Sequence, residues 1–203
     1  MATFVTDPRI EESLSAARQA YDIDRDEVWE GVRMMTPLPN VEHQDLVSRL
    51  AFALQSMLGN ESGARIFPGI NLSDRVQGWE QNFRGPDVAV FLSDTKAKNC
   101  GTHWCGAADF LVEIVSPHDR TRDKLAFYSQ IGVRELLIVD RQPWAIELWR
   151  LHDRQLVETG RSTIDATTFL DSQVLPVRFR LAQGAERPQI EVVKLDGSQT
   201  MLA

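Results

Sequence analysis

The stretch "DFLVEIVSPHDRTRDKLAFYSQIGVRELLIVD", residues 109–140, decides the fold. It opens with a near-continuous apolar run at 109–115 and closes with a second one at 135–140. The segment between them, 122–131, has apolar residues at helical spacing and is followed by Gly132. A strand, a helix and a second strand in this order form a crossover unit, and unbroken apolar strands are typical of a sheet covered on both faces. The stretch therefore predicts the centre of an α/β protein.

Two charged residues of this stretch stand in apolar surroundings. Glu113 shares a strand face with Leu111 and Val115, because side chains alternate along a strand. Lys124 lies at the centre of the apolar arc of the following helix, whereas a snorkelling lysine usually lies at the rim. Burying an ion without a partner destabilises the fold by roughly several kcal/mol, so both residues should have partners. Two simpler explanations stay open: Glu113 lies at a wet strand end, or Lys124 reaches solvent from the first helical turn.

The segments before this stretch predict two helices. Residues 41–58 have a continuous apolar arc at helical spacing, with Asn40 as the cap and Gly59 as the end. His43 projects near the centre of that arc, either as a core histidine bonded to a carbonyl or as a functional group. Residues 8–20 predict a short polar helix.

Most other segments are strand-like. Alternation over 26–35 predicts one strand, one face of which carries Val28, Glu30, Val32 and Met34. Further strands are expected at 64–74, 86–92, 145–151 and in three pieces of 154–203, with a polar turn region at 73–85 and a long loop at 93–108. The tail should therefore be rich in strands.

Composition excludes some classes of function. The net charge of −7 argues against a wholly basic, nucleic-acid-coating surface, although Arg120, Arg122, Lys124 and Arg134 could form a local basic patch. No apolar run approaches the ~20 residues that span a bilayer, and no secretory signal is visible at the N-terminus. We expect a cytoplasmic protein that does not enter membranes.

The loop "KNCGTHWCGA" places Cys100, His103 and Cys105 close together. A zinc site needs about four ligands, usually from paired knuckles, so three ligands in one loop fall short. Ordinary reduced thiols are the favoured interpretation, with a partial metal site or a redox pair as alternatives.

Asp87 is the third residue, with Glu113 and Lys124, that suggests a catalytic site. Asp87 should share a face with Ala89 and Phe91, although Pro-Asp also occurs in ordinary turns. Carboxylates at comparable points of two successive strands, with a lysine on the next helix, suit metal-assisted phosphodiester hydrolysis. Mg²⁺ prefers oxygen ligands and is commonly held by one or two carboxylates, and an ammonium can stabilise developing charge.

The motifs "HQDLVSRL", "PDVAVF", "FLVEIVSP", "RDKLAFYSQIGVRELLIVD" and "IELWRL" resemble the bacterial Uma2 (Uma-two) family of restriction-endonuclease-like proteins, a branch of the PD-(D/E)XK nuclease-like superfamily. The resemblance runs from about Glu27 to Leu151. It implies a mixed central β-sheet flanked by helices (α+β, restriction-endonuclease-like), dependence on Mg²⁺ with Mn²⁺ as a possible substitute, and DNA as substrate. We accordingly expect a single domain, 1–203, with an N-terminal helical extension at 1–25, a nuclease-like core at 27–151 and a C-terminal strand-rich extension at 152–203.

The resemblance also implies roles for individual residues. By position, Asp87 and Glu113 are the motif acids and metal ligands, and both count as catalytic. The superfamily's usual lysine, two residues after Glu113, would fall at Val115 and is missing, so Lys124 is the candidate that supplies the amine. Glu27 and His43 match an acidic position and a helix histidine and are possible supporting residues. Either could instead have a structural role, Glu27 as a solvated strand residue.

Two other hypotheses stay open. The chain could be a catalytically inactive nuclease-fold module that binds DNA or a protein, as its net charge and the missing strand lysine suggest. Alternatively, Glu113 and Lys124 could form an internal ion pair with a purely structural role. A homodimer is plausible for the nuclease, since cutting two strands favours two-fold symmetry.

Overall fold

The computed structural model describes residues 3–4, 8–9, 12, 26–35, 39–59, 62–116 and 120–203. Most of the helix expected at 8–20, and most of the extension expected at 1–25, lies outside these residues. Among the described residues, no helix is both long enough and apolar enough to cross a bilayer.

The described part of the chain contains many short strands and two α-helices that are described over their full length. The strands are β1 Thr3–Phe4, β2 Glu27–Trp29, β3 Val32–Met35, β4 Arg65–Pro68, β5 Leu72–Ser73, β6 Phe83–Arg84, β7 Val88–Phe91, β8 Lys98–Asn99, β9 Trp104–Cys105, β10 Phe110–Ile114, β11 Glu135–Arg141, β12 Trp144–His152, β13 Gln155–Thr163, β14 Leu170–Asp171, β15 Val177–Ala182, β16 Gln189–Lys194 and β17 Thr200–Leu202. The helices are α1 Val41–Leu58 and α2 Leu125–Ile131, and short 3₁₀ turns lie at Trp79–Gln81 and Thr121–Lys124.

A six-stranded sheet in the order β13-β12-β11-β10-β7-β4 forms the centre of the molecule. Strands β10 and β11 are parallel, joined by the crossover through α2, and the other pairs are antiparallel. The expected mixed sheet and its crossover are therefore confirmed.

Both faces of the sheet are covered. Phe110 and Val112 of β10 pack on one side with α1 and the C-terminal strands, and Leu111 packs on the other side with α2.

Helix α1 has the limits that its sequence predicts. The Asn40 side chain accepts a hydrogen bond of 2.9 Å from the backbone N–H of His43, and the helix ends at Gly59, whose φ is +70°. The buried face carries Leu46, Leu50 and Leu54 against the central sheet. His43 is buried on the same face, at the N-terminal end of the helix.

The single strand predicted for residues 26–35 is wrong. The segment is a hairpin in which β2 and β3 pair antiparallel, with Glu27 opposite Met34. Glu30 and Gly31 form the two-residue turn with φ values of +47° and +81°, the combination that favoured hairpin turns require. Because the chain reverses there, Val28, Glu30, Val32 and Met34 do not lie along one continuous strand face.

The segments around β4 also differ from the prediction. The strand expected at 64–74 divides at Gly69 into β4, in the central sheet, and β5, in a seven-stranded sheet of the order β1-β3-β2-β6-β5-β9-β8. The expected loop 93–108 contains β8 and β9, because Trp104 is buried against Phe91 with ring centroids 3.8 Å apart. This polar-looking segment thus contributes Trp104 to the core on the α2 side of the central sheet.

The helix predicted at 122–131 begins later than expected. Residues Thr121–Lys124 form a 3₁₀ turn, and regular α-helix follows only from Leu125 to Ile131. The strands expected in the tail are present. β13 pairs with β12 at the edge of the central sheet, and β14 to β17 form a four-stranded sheet that packs on the α1 side, where Phe179 stacks on Phe110.

Candidate active site

Asp87 and Glu113 lie side by side at one end of the central sheet. Val88 and Val112 are partners in the antiparallel pair β7–β10, so the next opposed positions are Asp87 and Glu113. The backbone N–H of Ile114 donates to Asp87 Oδ2 at 2.7 Å, which holds the aspartate against the strand that carries the glutamate. The register of two strands therefore brings the two predicted acids together.

Lys124 points into this site. Its Nζ lies 3.1 Å from both carboxylate oxygens of Glu113 and 2.8 Å from Glu27 Oε1. The Lys124 side chain is only 13% exposed, and that of Glu113 is 3% exposed. The 3₁₀ turn that ends at Lys124 thus places an ammonium between an acid of the central sheet and an acid of the hairpin. Lys124 therefore does not face solvent, and Glu113 does not lie at a solvent-exposed strand end.

Glu27 is held rigidly on the hairpin. Its Oε1 also accepts from the backbone N–H of Gly85 at 2.9 Å, and its Oε2 accepts from Trp29 Nε1 at 2.6 Å. The residue is buried, so it is not a solvated strand residue. These contacts leave its carboxylate in a single orientation toward Lys124.

His43 completes the set from the α1 side of the sheet. Its Nε2 lies 3.3 Å from Asp87 Oδ1, and its Nδ1 has no hydrogen-bond partner among the described residues. The capping of α1 at Asn40 fixes the start of the helix and therefore the place of this imidazole. All five site residues predicted from the sequence consequently lie in one connected group.

Three further residues support the site. Tyr128 donates from its hydroxyl to Glu113 Oε1 at 2.5 Å. It follows Lys124 by four residues, and this spacing, which puts two side chains on one helix face, was the available signal. Arg84 is buried between the rings of Trp29 and Phe127 at 4.5 and 4.2 Å, within a segment that looked like a polar turn.

Arg141 is the third, and it joins the two halves of the site. It donates to Asn40 Oδ1 at 3.1 Å and Glu42 Oε2 at 3.0 Å on helix α1, and to the carbonyl of Val115 beyond the end of β10. No local pattern marks it, because its partners come from distant segments. It ties the helix that carries His43 to the strand that carries Glu113.

Comparison with known proteins identifies the family and the fold. Residues 12–182 match the profile of the Uma2 family, described as "Putative restriction endonuclease". The chain belongs to the Uma2 family. A crystal structure of a "putative nuclease belonging to DUF820" from Anabaena variabilis ATCC 29413 is similar, with a TM-score of 0.57 and 18% identity over 72% of this chain and 80% of that one. The likeness confirms a restriction-endonuclease-like, mixed α+β fold, and no curated protein matches the chain.

In this Uma2 chain the amine beside Glu113 belongs to Lys124. Val115, two residues after Glu113, packs against the apolar cluster around α2. Lys124 approaches Glu113 from above the same face of the sheet. Position 115 is uncharged, and Lys124 is the cation that lies beside the acids.

Three acidic groups, Glu27, Asp87 and Glu113, surround the single lysine of the site. Burial raises the pKa of Glu113 to about 8; Lys124 acts against this, and the charges of Asp87 and Glu27 add to it. Burial disfavours the ammonium form of Lys124, but the Glu113 and Glu27 carboxylates outweigh it and raise its pKa. Burial also raises the pKa of Tyr128, which stays a neutral hydrogen-bond donor.

This imbalance and the donor chemistry fit a hard divalent cation. Asp87 and Glu113 supply adjacent carboxylates, and Mg²⁺ needs only one or two of these because it keeps several waters. Within the described ranges, no three His, Cys, Asp or Glu side chains have the geometry of a complete metal centre. The residues therefore suit an ion held partly by solvent and substrate, not an all-protein cage.

The side chain of His103 holds the Cys100–Cys105 loop in place through contacts with its neighbours. His103 contacts the Arg75 carbonyl through Nε2 at 3.0 Å and Thr102 Oγ1 through Nδ1 at 3.1 Å, and its ring stacks on Trp79. Both cysteines are free thiols. With both imidazole nitrogens engaged, the histidine has no position left for a metal.

The expected local basic patch is balanced by acids. Arg120 pairs with Asp123, and Arg134 lies 3.2 Å from Asp109. Arg122 lies 2.9 Å from Glu147, and Lys124 is buried in the site. These cations are close to one another in the sequence, but in the structure each one lies beside a carboxylate.

Proposed function

We propose that this chain is a DNA endonuclease that hydrolyses phosphodiester bonds with Mg²⁺, or with Mn²⁺ as a substitute. One observation carries the proposal: Glu27, Asp87, Glu113 and Lys124 converge, largely buried, at one end of the central sheet. Membership of a family described as restriction endonucleases supports a nucleic acid as the substrate.

Asp87 and Glu113 are the residues that would hold the cation. When bound, the ion would supply Lewis acidity, lowering the pKa of a water and neutralising phosphate charge. The hydrogen bond from Ile114 keeps Asp87 in place, and that from Tyr128 keeps Glu113 in place. The chain therefore presents both acids in fixed orientations before substrate arrives.

Lys124 would stabilise negative charge that develops on the phosphate. Burial opposes its charge, but the neighbouring acidic groups outweigh burial and raise the pKa of Lys124, so the ammonium remains protonated at neutral pH. A preorganised cation in a site that excludes water stabilises a developing anion more strongly than a solvated one. Glu27 would act through Lys124, as a positioning residue, and His43 would act in the same way through Asp87.

Calorimetric titration tests the metal site directly. We expect Mg²⁺ and Mn²⁺ to bind wild type at about one equivalent and the Glu113→Ala variant far more weakly. Cleavage of supercoiled plasmid should require one of the two ions and should stop with EDTA. Equal binding by wild type and variant would remove Glu113 from the site.

A module without turnover is the second candidate, and one observation favours it. Glu113 already accepts hydrogen bonds from Lys124 and Tyr128, as expected for a structural ion pair. This candidate predicts that the protein shifts supercoiled, branched or single-stranded DNA on a gel, or captures a protein, but cuts no DNA with Mg²⁺ or Mn²⁺. We further propose a homodimer for the active nuclease, which light scattering of the purified protein would detect as twice the mass of the chain.

A further inference from the structure

A second charged group lies on the same face of the sheet as the candidate active site. Glu113 is paired with Ile138, Ile138 with Glu147, and Glu147 with Arg161, so these four residues form one row across β10 to β13. Residues that are directly opposed across strands point to the same face. Neighbouring strands are about 4.8 Å apart, which puts Glu147 about 10 Å from Glu113.

Glu147 holds two arginines in place. Its Oε1 accepts from Arg122 at 2.9 Å and from Arg161 at 2.9 Å, and its Oε2 accepts from Trp149 Nε1 at 3.1 Å. Glu147 itself is buried at 2% exposure. Arg122 belongs to the 3₁₀ turn that ends at Lys124, so one short turn contributes a cation to each of the two groups.

The arginines retain binding capacity toward solvent. Each side chain is 45% exposed, and within the described residues each guanidinium donates one hydrogen bond out of its five N–H groups. Asp140, 3.8 Å from Arg122, is the other acid beside them. The buried carboxylate fixes both guanidinium groups, which lowers the entropy lost when they bind an anion. Guanidinium also matches the geometry of phosphate better than ammonium does.

We infer that Arg122 and Arg161 together bind a backbone phosphate of the nucleic-acid strand, about 10 Å from the phosphate that reacts. The inference rests on the proposed function and adds the direction of the bound strand, which runs across β10 to β13. These arginines bind substrate and do not take part in the bond cleavage.

Binding of a fluorescent 20-base-pair duplex, measured by anisotropy in EDTA so that no strand is cut, tests the inference. We expect Arg122→Gln and Arg161→Gln each to weaken binding about tenfold, and the double variant to reduce the salt slope by about one. Arg180→Gln is the matched control, since Arg180 is a half-exposed arginine paired with Glu191 on the sheet that covers the opposite face. Its binding should equal that of wild type.

The outcomes separate this inference from the proposed function. If wild type binds and cuts DNA but the double variant binds equally well, the inference is overturned and the nuclease stands. Equal losses in the double variant and in Arg180→Gln would also overturn it, as a general charge effect. If wild type does not bind DNA at all, both fail. Should the glutamine variants unfold, Arg122→Lys with Arg161→Lys keeps the charge and should still weaken binding, because lysine lacks the planar fork.

Discussion

Lys124 Nζ lies 3.1 Å from both carboxylate oxygens of Glu113, in surroundings where both side chains are largely removed from water. The contact joins strand β10 to the 3₁₀ turn that precedes helix α2. The same ammonium reaches Glu27 at 2.8 Å, so three carboxylates, with Asp87, share one lysine. This crowding of acidic groups around one lysine is the property on which the following predictions depend.

Asp87→Asn should abolish cleavage while leaving the fold intact. The amide keeps an oxygen for the Ile114 N–H but removes the charge that holds a cation, so we expect a loss of about 10²-fold or more. Plasmid cleavage with Mg²⁺ measures it. Asp74→Asn is the control, because Asp74 is an equally exposed aspartate that pairs with Arg75 elsewhere. Unchanged cleavage by Asp87→Asn would refute its assignment as a ligand.

Lys124→Met should destabilise the protein, and Mg²⁺ should reverse part of the loss. Removing one partner of a buried pair leaves uncompensated charge, which costs about 3–5 kcal/mol. A divalent ion beside Glu113 would compensate it, so the melting temperature of the variant should rise with Mg²⁺ more than that of wild type. The exposed pair Arg49–Asp45 provides the control: Arg49→Met should cost about 1 kcal/mol or less, independent of metal. A variant insensitive to Mg²⁺ would support the purely structural ion pair.

Metal affinity should rise with pH. The pKa of Glu113 is raised from 4.5 to about 8, so below pH 8 the folded apo protein keeps a proton there that the cation must displace. The apparent Kd for Mg²⁺ should fall about tenfold per pH unit up to about pH 8 and then level off. Titrations between pH 6 and pH 9, in buffers of different ionisation enthalpy, measure both the affinity and the released proton. A Kd that is constant over this range would exclude Glu113 as a ligand.

Tyr128→Phe should move that pH profile toward alkaline values. The Tyr128 hydroxyl stabilises the Glu113 carboxylate, so its removal raises the pKa of Glu113 further and should cost about 1–3 kcal/mol of stability. The control is Ser129→Ala, which removes a neighbouring hydroxyl bonded to the Leu156 N–H and does not touch Glu113. It should lower stability without displacing the profile. Identical profiles for the two variants would show that Tyr128 is only a packing residue.

Local signals predicted the parts of the fold that depend on neighbours in the chain. The apolar spacing and the cap at Asn40 are sufficient for α1, because both act within a few residues. The turn at Glu30–Gly31 was missed, since alternating residues on both sides imitated one strand. Tyr128 was missed for a different reason: a tyrosine on an apolar helix face resembles any core residue until its hydroxyl has a partner.

The sequence by itself determined that Glu113 and Lys124 needed partners, because an isolated charge in an apolar segment is too costly to leave unpaired. It also determined the crossover unit that carries them. Only the tertiary structure decided that Lys124 serves both Glu113 and Glu27, that His43 faces Asp87, and that Arg122 and Arg161 share Glu147. Those pairings depend on strand register and on packing between distant segments, and no local pattern of residues specifies either.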